Sequence, residues 1–404
     1  MVGGTSIAQL IGILASPALS RLYTPEQFGV LGSLIAVTGI ISLVGSLKYE
    51  MAIVLENNDK DVEALQFLSH IVLVVVTIIS GLAIIASPYW LWELEGKIEV
   101  IQLLPWAIVI IFFSGLYNAL YSRYNREKSY GEMAQVQILK RVSHVSVQLL
   151  IGVISGSTLG LVFGNVFGVL IPVLFIFFRK RSFFNYKKIE FERVRKVAKR
   201  YIKFPIYTAP QSLLNLISGQ LPVFVLGYFF TMSVVGAYFF AIKIVQLPAM
   251  LIGSSVRRVF FKEVAEIVED VPAIDKLYTK TIYALSAVVL IPTIIVFFYG
   301  SFLFKLVFGV DWEMSGHFAS WMVLWYGTTI IGGPARSLFL SLEKQKLIFI
   351  LDAILVVVRG IVLILLAKFS TPLIAIAVFS LITMCSNLLG VVGWKIYFIR
   401  KLNV

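Results

Sequence analysis

The 404-residue chain is 59% hydrophobic and 14% charged, with a mean hydropathy of +0.90 and a formal net charge of +13 at pH 7. Soluble domains are about 45–50% apolar and about 25% charged, so this composition excludes a soluble globular fold. The one cysteine, Cys385, lies inside an apolar run, which excludes an internal disulfide and most cysteine metal chemistry.

A helix needs about 20 apolar residues to cross roughly 30 Å of hydrocarbon. Apolar length places twelve spans at about 2–20, 28–47, 67–87, 101–121, 134–154, 159–178, 204–230, 233–253, 280–300, 317–341, 347–367 and 372–398. The start, Met1-Val-Gly-Gly-Thr-Ser, has neither a basic segment nor a small-residue cleavage signal, so it reads as a retained first helix. A natural beginning slightly upstream stays open. Prolines in or beside several spans, among them Pro17, Pro105, Pro172, Pro222, Pro248 and Pro292, predict bent helices.

Positive charge alternates between the gaps. Of the 35 Lys and Arg residues, 28 fall in the gaps after even-numbered spans with the adjoining span edges (48–66, 122–141, 179–203, 254–280, 342–346) or in the tail 395–401, and four in the gaps after odd-numbered spans: Arg21, Lys97, Lys305 and Lys368. Because cytoplasmic loops hold the excess of Lys and Arg, both termini are expected in the cytoplasm of a multi-pass protein of the cell (cytoplasmic or inner) membrane. This distribution also explains the net charge without nucleic acid.

The gap 179–203 holds eleven basic residues and separates an N-terminal six-helix lobe, 1–178, from a C-terminal six-helix lobe, 204–404. Within it Ile189, Val194, Val197 and Tyr201 share one face, which predicts a basic amphipathic linker helix lying on the inner membrane surface. Residues 254–279 read as a helical extension on the same side. The halves also repeat. Leu19, Thr24 and Gly29 overlay Leu226, Thr231 and Gly236 at an offset of 207, and Arg126, Lys128 and Arg141 overlay Lys344, Lys346 and Arg359 at 218. The fold class expected is therefore an all-α membrane protein of about twelve helices in two pseudo-symmetric lobes around a central cavity, working by alternating access.

The stretch LSRLYTPEQFGVLGSLIAVTGIISLVGSLKYEMAIVLENNDKDVEAL (19–65) resembles the N-terminal signature of polysaccharide-biosynthesis membrane proteins, the Wzx-type O-antigen and capsule flippases of the multidrug/oligosaccharidyl-lipid/polysaccharide superfamily. Residues 201–261 resemble the opening of that family's second half. The resemblance implies translocation of an undecaprenyl-pyrophosphate-linked oligosaccharide to the outer leaflet, with a polysaccharide polymerase and glycosyltransferases as partners beside the membrane lipids. Such a cargo needs cations for its diphosphate and amide or aromatic groups for its sugars.

Charges inside spans cost about 2.5–3.5 kcal/mol each on insertion scales and are functional candidates. The substrate-binding candidates are Lys243 in span eight, Arg336 after the Gly332-Gly333-Pro334 break, Arg359 in span eleven, Arg141 at the start of span five near His144 and Gln148, and Lys48 at the end of span two. Asp352, seven residues before Arg359, is the candidate for ion coupling. Each also has a plainer reading. Lys48, Glu50, Arg21 and Arg141 could reach the interface by snorkelling, Arg359, Lys243 and Arg336 could pair structurally with Asp352 or a neighbouring helix, with Arg359 the partner named for Asp352, and His144 could be a packed polar residue. Trp90, Trp92 and Trp312 read as interface anchors.

No Walker A loop is present, and His70, His144 and His317 lack ligand spacing, so no cofactor, metal site or catalytic group is expected. The alternative function is a multidrug or small-molecule exporter of the same superfamily, which would carry acidic lumen residues where these deep charges are mostly cationic. A membrane enzyme such as a polymerase would need a large outer loop, whereas the outer gaps are about 15 residues or shorter.

Overall fold

In the computed structural model the structure describes residues 2–86, 98–184, 186, 189–267, 270–341 and 345–402, and no strand occurs among them. The helices are α1 (Val2–Leu22), α2 (Pro25–Leu43), α3 (Tyr49–Ala52), α4 (Asp59–Ala86), α5 (Ile98–Arg126), α6 (Tyr130–Ser155), α7 (Thr158–Arg179), α8 (Phe191–Arg200), α9 (Ala209–Phe229), α10 (Met232–Glu266), α11 (Val271–Phe308), α12 (Glu313–Ile331), α13 (Gly333–Ser341), α14 (Gln345–Phe369) and α15 (Pro372–Leu402). They follow the twelve expected spans in order. Among the described residues ten helices are long and apolar enough to cross a membrane; α1 and α12 match the length, at 21 and 19 residues, with more polar composition. The chain forms two compact units, Met1–Phe224 and Val225–Val404.

In the first unit the turn from α1 to α2 is fixed by its sequence. Thr24 has an extended backbone, its hydroxyl accepts from the Gln27 N–H at 3.3 Å, and the Gln27 side chain accepts from the Thr24 N–H at 2.9 Å. With Pro25 in the first helical turn this is a complete capping box, satisfying donors that would otherwise be orphaned. The Tyr23 hydroxyl donates to the Gln148 carbonyl at 2.6 Å and the Gln27 amide to the Gly156 carbonyl at 2.7 Å, tying the turn to the far end of α6. In the second unit Thr231 stands at the N-cap of α10 with the same extended backbone but without a side-chain cap hydrogen bond. Leu19 and Leu226 are buried, as are Gly29 and Gly236, so the Leu and Gly positions of the repeat share one role while the Thr positions share only backbone geometry.

Helices α6 and α7 meet along a glycine stripe. A Cβ on Gly160 would lie 2.2 Å from the Tyr23 hydroxyl, on Gly164 2.2 Å from Gln148 Cγ, and on Gly168 2.9 Å from His144 Cβ. Small residues four apart let backbones approach closely where lipid gives no hydrophobic drive to pack. In the second unit Gly300 of α11 and Gly316 of α12 cross backbone to backbone, a Cβ on Gly316 reaching 2.4 Å from the Gly300 carbonyl. Gly309, with φ of 109°, then turns the chain so that Trp312 is buried and lies 4.1 Å from the Phe240 ring of α10. Trp312 is therefore a core residue and not an interface anchor; Trp90 and Trp92 lie outside the described residues.

The predicted amphipathic helix is α8, but its apolar face is covered by protein. Val194 and Val197 pack with Tyr49, Ala52, Ile53, Val62 and Leu65 of the α3–α4 region, so those side chains are used on the first unit and not on a lipid surface. Around this contact Arg193 pairs with Asp61 at 2.8 Å, Arg200 with Glu56 at 2.7 Å and Asp61 at 3.3 Å, and the Tyr201 hydroxyl donates to Glu56 at 3.1 Å. Arg126 holds the acidic loop from behind, donating to the Glu56 and Asn57 carbonyls at 2.9 Å each and pairing with Asp59 at 2.7 Å. The expected extension after span eight is also helical: α10 runs 35 residues and α11 38.

Burial would raise the Glu56 pKa, but hydrogen bonds from the Asn58 N–H, Tyr201, Arg200 and the Asn57 N–H outweigh it and hold the carboxyl below its ordinary value. A group depressed in the folded state contributes stability above its unfolded pKa, about 4.3 for Glu, and loses it as pH falls through the folded value. A spin label at Lys196→Cys in a Cys385→Ser background should therefore gain mobility as pH drops below about 4, and Glu56→Gln should show that mobility already at pH 7. Gly164→Leu should lower thermal stability in detergent by about 1–3 kcal/mol through overpacking. Gly131→Ala, with nothing within 4 Å of the new Cβ, should leave it unchanged.

Candidate functional site

In the first unit the polar residues of α6 form one stripe. Gln137, Arg141, His144 and Gln148 recur at three- and four-residue steps, with Lys140 beside them. Arg141 is the twelfth residue of α6, about 16 Å along the helix axis from its start at 1.5 Å per residue. The first three turns of α6, which begins at Tyr130, precede the charge.

The two adjacent cations leave α6 in different directions. Lys140 Nζ sits 4.2 Å from the ring centroid of Tyr117 on α5, an aromatic face that compensates part of an ammonium's lost hydration. Tyr117 stacks on Tyr121 one turn later at 5.7 Å. The Gln137 amide donates to the Tyr121 hydroxyl, and Thr5 of α1 donates to Gln137 Oε1 at 2.7 Å. Arg141 instead passes across α1 at Gly12, where a Cβ would stand 1.6 Å from Nη2; only glycine leaves that path open. Arg141 Nε and Gln9 Oε1 are buried without a hydrogen-bond partner among the described residues. Among those residues no ion pair within 4 Å joins Lys140 or Arg141 to a carboxylate. The result is a pair of fixed cations flanked by amides, hydroxyls and stacked phenols, a donor set able to hold a phosphate beside sugar hydroxyls.

Lys48 does not belong to this cluster. Helix α2 ends at Leu43, four residues earlier than predicted, because the Val44 N–H turns back to the Ile41 and Ser42 carbonyls. Leu47 and Lys48 then adopt φ of 49° and 65°, and Lys48 pairs with Glu50 at 3.8 Å, both side chains largely buried. The turn uses the lysine locally.

In the second unit Arg359 of α14 donates to the Ser386 hydroxyl of α15 at 2.7 Å, and Ser386 donates onward to the Thr383 carbonyl at 2.8 Å. Arg359 Nε is buried without a partner among the described residues, as is that of its repeat counterpart Arg141. Asp352 pairs with Arg336 of α13 at 2.9 Å, so of the structural partners the sequence left open for it, Arg336 and not Arg359 makes the ion pair. Asn387 of α15 donates to Thr328 and Thr329 of α12 at 3.3 and 3.0 Å. Lys243 is half-buried within α10, near the buried Tyr238, which packs edge-on to Phe318.

Sequence reasoning missed Lys140 because it was counted with the basic window 122–141, although the predicted span 134–154 contains it. It missed Tyr117 and Tyr121 for lack of any signal beyond aromatic content. The i, i+4 spacing of those tyrosines, together with the Gln137-to-Arg141 stripe, was the readable clue.

Residues 18–316 match the family model described as polysaccharide biosynthesis protein. A Klebsiella pneumoniae protein described as an uncharacterized membrane protein in the cps region is 21% identical over 345 residues, which is 84% of this chain and 69% of that one. Among solved structures, the lipid II flippase MurJ in an inward closed conformation superimposes with a TM-score of 0.72 at 14% identity, over 99% of this chain and 87% of that one. An inward-facing multidrug-resistance MATE transporter of the MOP superfamily gives 0.71 at 14% identity, over 99% and 95%. A MOP-superfamily transporter from Pyrococcus furiosus, described by the reverse polarity of its binding pocket, gives 0.62 at 13% identity, over 98% and 95%. Similarity at this level carries the fold alone, and the fold is that of transporters and flippases. The match over residues 18–316 makes this multi-pass, all-α membrane protein a member of the polysaccharide biosynthesis protein family.

Proposed function

We propose that the protein translocates a polyprenyl-pyrophosphate-linked oligosaccharide across the cytoplasmic membrane by alternating access, for surface polysaccharide or O-antigen synthesis, with both termini in the cytoplasm. The observation that carries this reading is the adjacent pair Lys140 and Arg141 deep in α6, with no ion-paired carboxylate among the described residues and with Tyr117, Tyr121 and Gln137 alongside. Cations are costly in hydrocarbon unless a function or a partner compensates them, and a diphosphate supplies that partner. In the second unit Arg359, Lys243 and Arg336 are assigned to the same anionic cargo. Asp352 is assigned to coupling, an H⁺ or Na⁺ competing with Arg336 for its carboxylate. An exporter of cationic drugs would need the opposite charge at the α6 stripe. A polysaccharide polymerase and glycosyltransferases are the partners that would supply and consume such a cargo.

The test is restoration of surface glycan in a flippase-deficient bacterium at matched membrane levels. Wild type should restore it. Lys140→Ala, Arg141→Ala, Arg359→Ala and Lys243→Ala should each lower export about ten- to hundredfold, as expected for loss of a charge-assisted hydrogen bond worth about 1.5–3 kcal/mol. Failure of wild type with several chemically different glycans would discard the flippase reading. Full activity of all four variants would discard the site while leaving the flippase.

A further inference from the structure

The docked helix α8 has the construction of a catch that opens, and that role rests on the transport reading above. Its ten residues are fewer than the dozen or more that an isolated helix needs in water, so α8 owes its helical state to the surface beneath it. That surface is small: Val194 and Val197 are its buried side chains. The polar ring around it is asymmetric. Glu56 and Asp61 are each 8% exposed, and the acidic socket is prebuilt by Arg126 and by the Asn57 and Asn58 N–H groups at 2.9 and 3.1 Å from Glu56 Oε1. The arginines that enter it are 31% and 43% exposed, and ion pairs this open to water are individually weak. A fixed acceptor and a weakly held, water-accessible plug are the parts of a reversible contact.

The chain on the exit side of α8 is suited to give way. Residues Phe204–Thr208 form a π-helical turn, with the Ala209 N–H reaching back to the Phe204 carbonyl, and Pro205 and Pro210 interrupt the regular ladder. Such bulges and prolines localise bending. Residues 180–208 are also the covalent link from α7 to α9, so a shift of α9 against the first six spans must be absorbed there.

We infer that α8 is a releasable latch: docked in its acidic socket it holds one state of the first unit, and it leaves the socket during each transport cycle. The test uses a Cys385→Ser background, since Cys385 is the only cysteine. In Val194→Cys/Leu65→Cys, residues of one packed cluster, oxidation should join α8 to α4 and lower glycan export by about tenfold or more, and reductant should restore it. In Val197→Cys alone, buried while docked, a water-soluble maleimide should label in exporting cells. Glu56→Arg should increase that labelling, and adding Arg200→Glu should reduce it again. Unchanged export by the oxidised pair would make α8 a static strut and overturn the latch, as would a Val197→Cys that stays unlabelled in exporting cells. If wild type and the reduced pair both fail to restore glycan, the flippase reading falls and the labelling of Val197→Cys, with and without Glu56→Arg, decides the latch alone.

Discussion

Charge taken out of water has to be compensated by whatever the protein places beside it, and the inner organisation of both units follows from how this is done. In the first unit Lys140 rests on a phenol ring and Arg141 runs over a glycine. The buried carboxylates of that unit, Glu50, Glu56 and Asp61, lie in the first turn of α4 or before it, where Ser46 and Lys48 meet Glu50, loop N–H groups and an arginine meet Glu56, and arginines meet Asp61. In the second unit Arg336 takes Asp352 and Arg359 takes a serine hydroxyl. In the first unit the α6 cations are thus left with aromatic and amide neighbours while acid lies near the charged loops; in the second unit one acid, Asp352, stands within a span and is taken by Arg336.

The spans were legible because a requirement for about 20 apolar residues is a strong and nearly context-free constraint. The Thr24 turn was legible because capping depends on local side-chain chemistry. What the sequence hid was decided by distant partners. Lys140 was counted with the basic edge of its span until the structure laid it on the Tyr117 ring, and Trp312 resembled an interface anchor until Gly309 turned it onto Phe240. The α8 pattern was read correctly as amphipathic, yet an apolar stripe fits protein and lipid equally well, and only the acids at positions 56 and 61 select between them. Asp352 posed the same problem: spacing on α14 favoured Arg359, while the chain break at Gly332 brought Arg336 to it.

The two halves share their turn chemistry more closely than their polar clusters. Leu and Gly at the first turn are buried in both units and Thr keeps the same extended N-cap backbone, whereas Arg141 and Arg359, at matching places in the fifth span of each half, have different neighbours. The framework was kept and the lining diverged, as expected where packing geometry is shared and each half has its own contacts to make.

The glycine stripe between α6 and α7 has a mechanical meaning. Tyr23 and Gln27 tie the α1–α2 turn to α6, and Gly160, Gly164 and Gly168 let α7 sit directly against it. Interfaces packed at this distance shift as a block because sliding would drive atoms into each other. Lys140 and Arg141 of α6 are therefore mounted on a rigid plate, displaced as one with α7 and the first turn. Any motion that carries them must be hinged outside that plate.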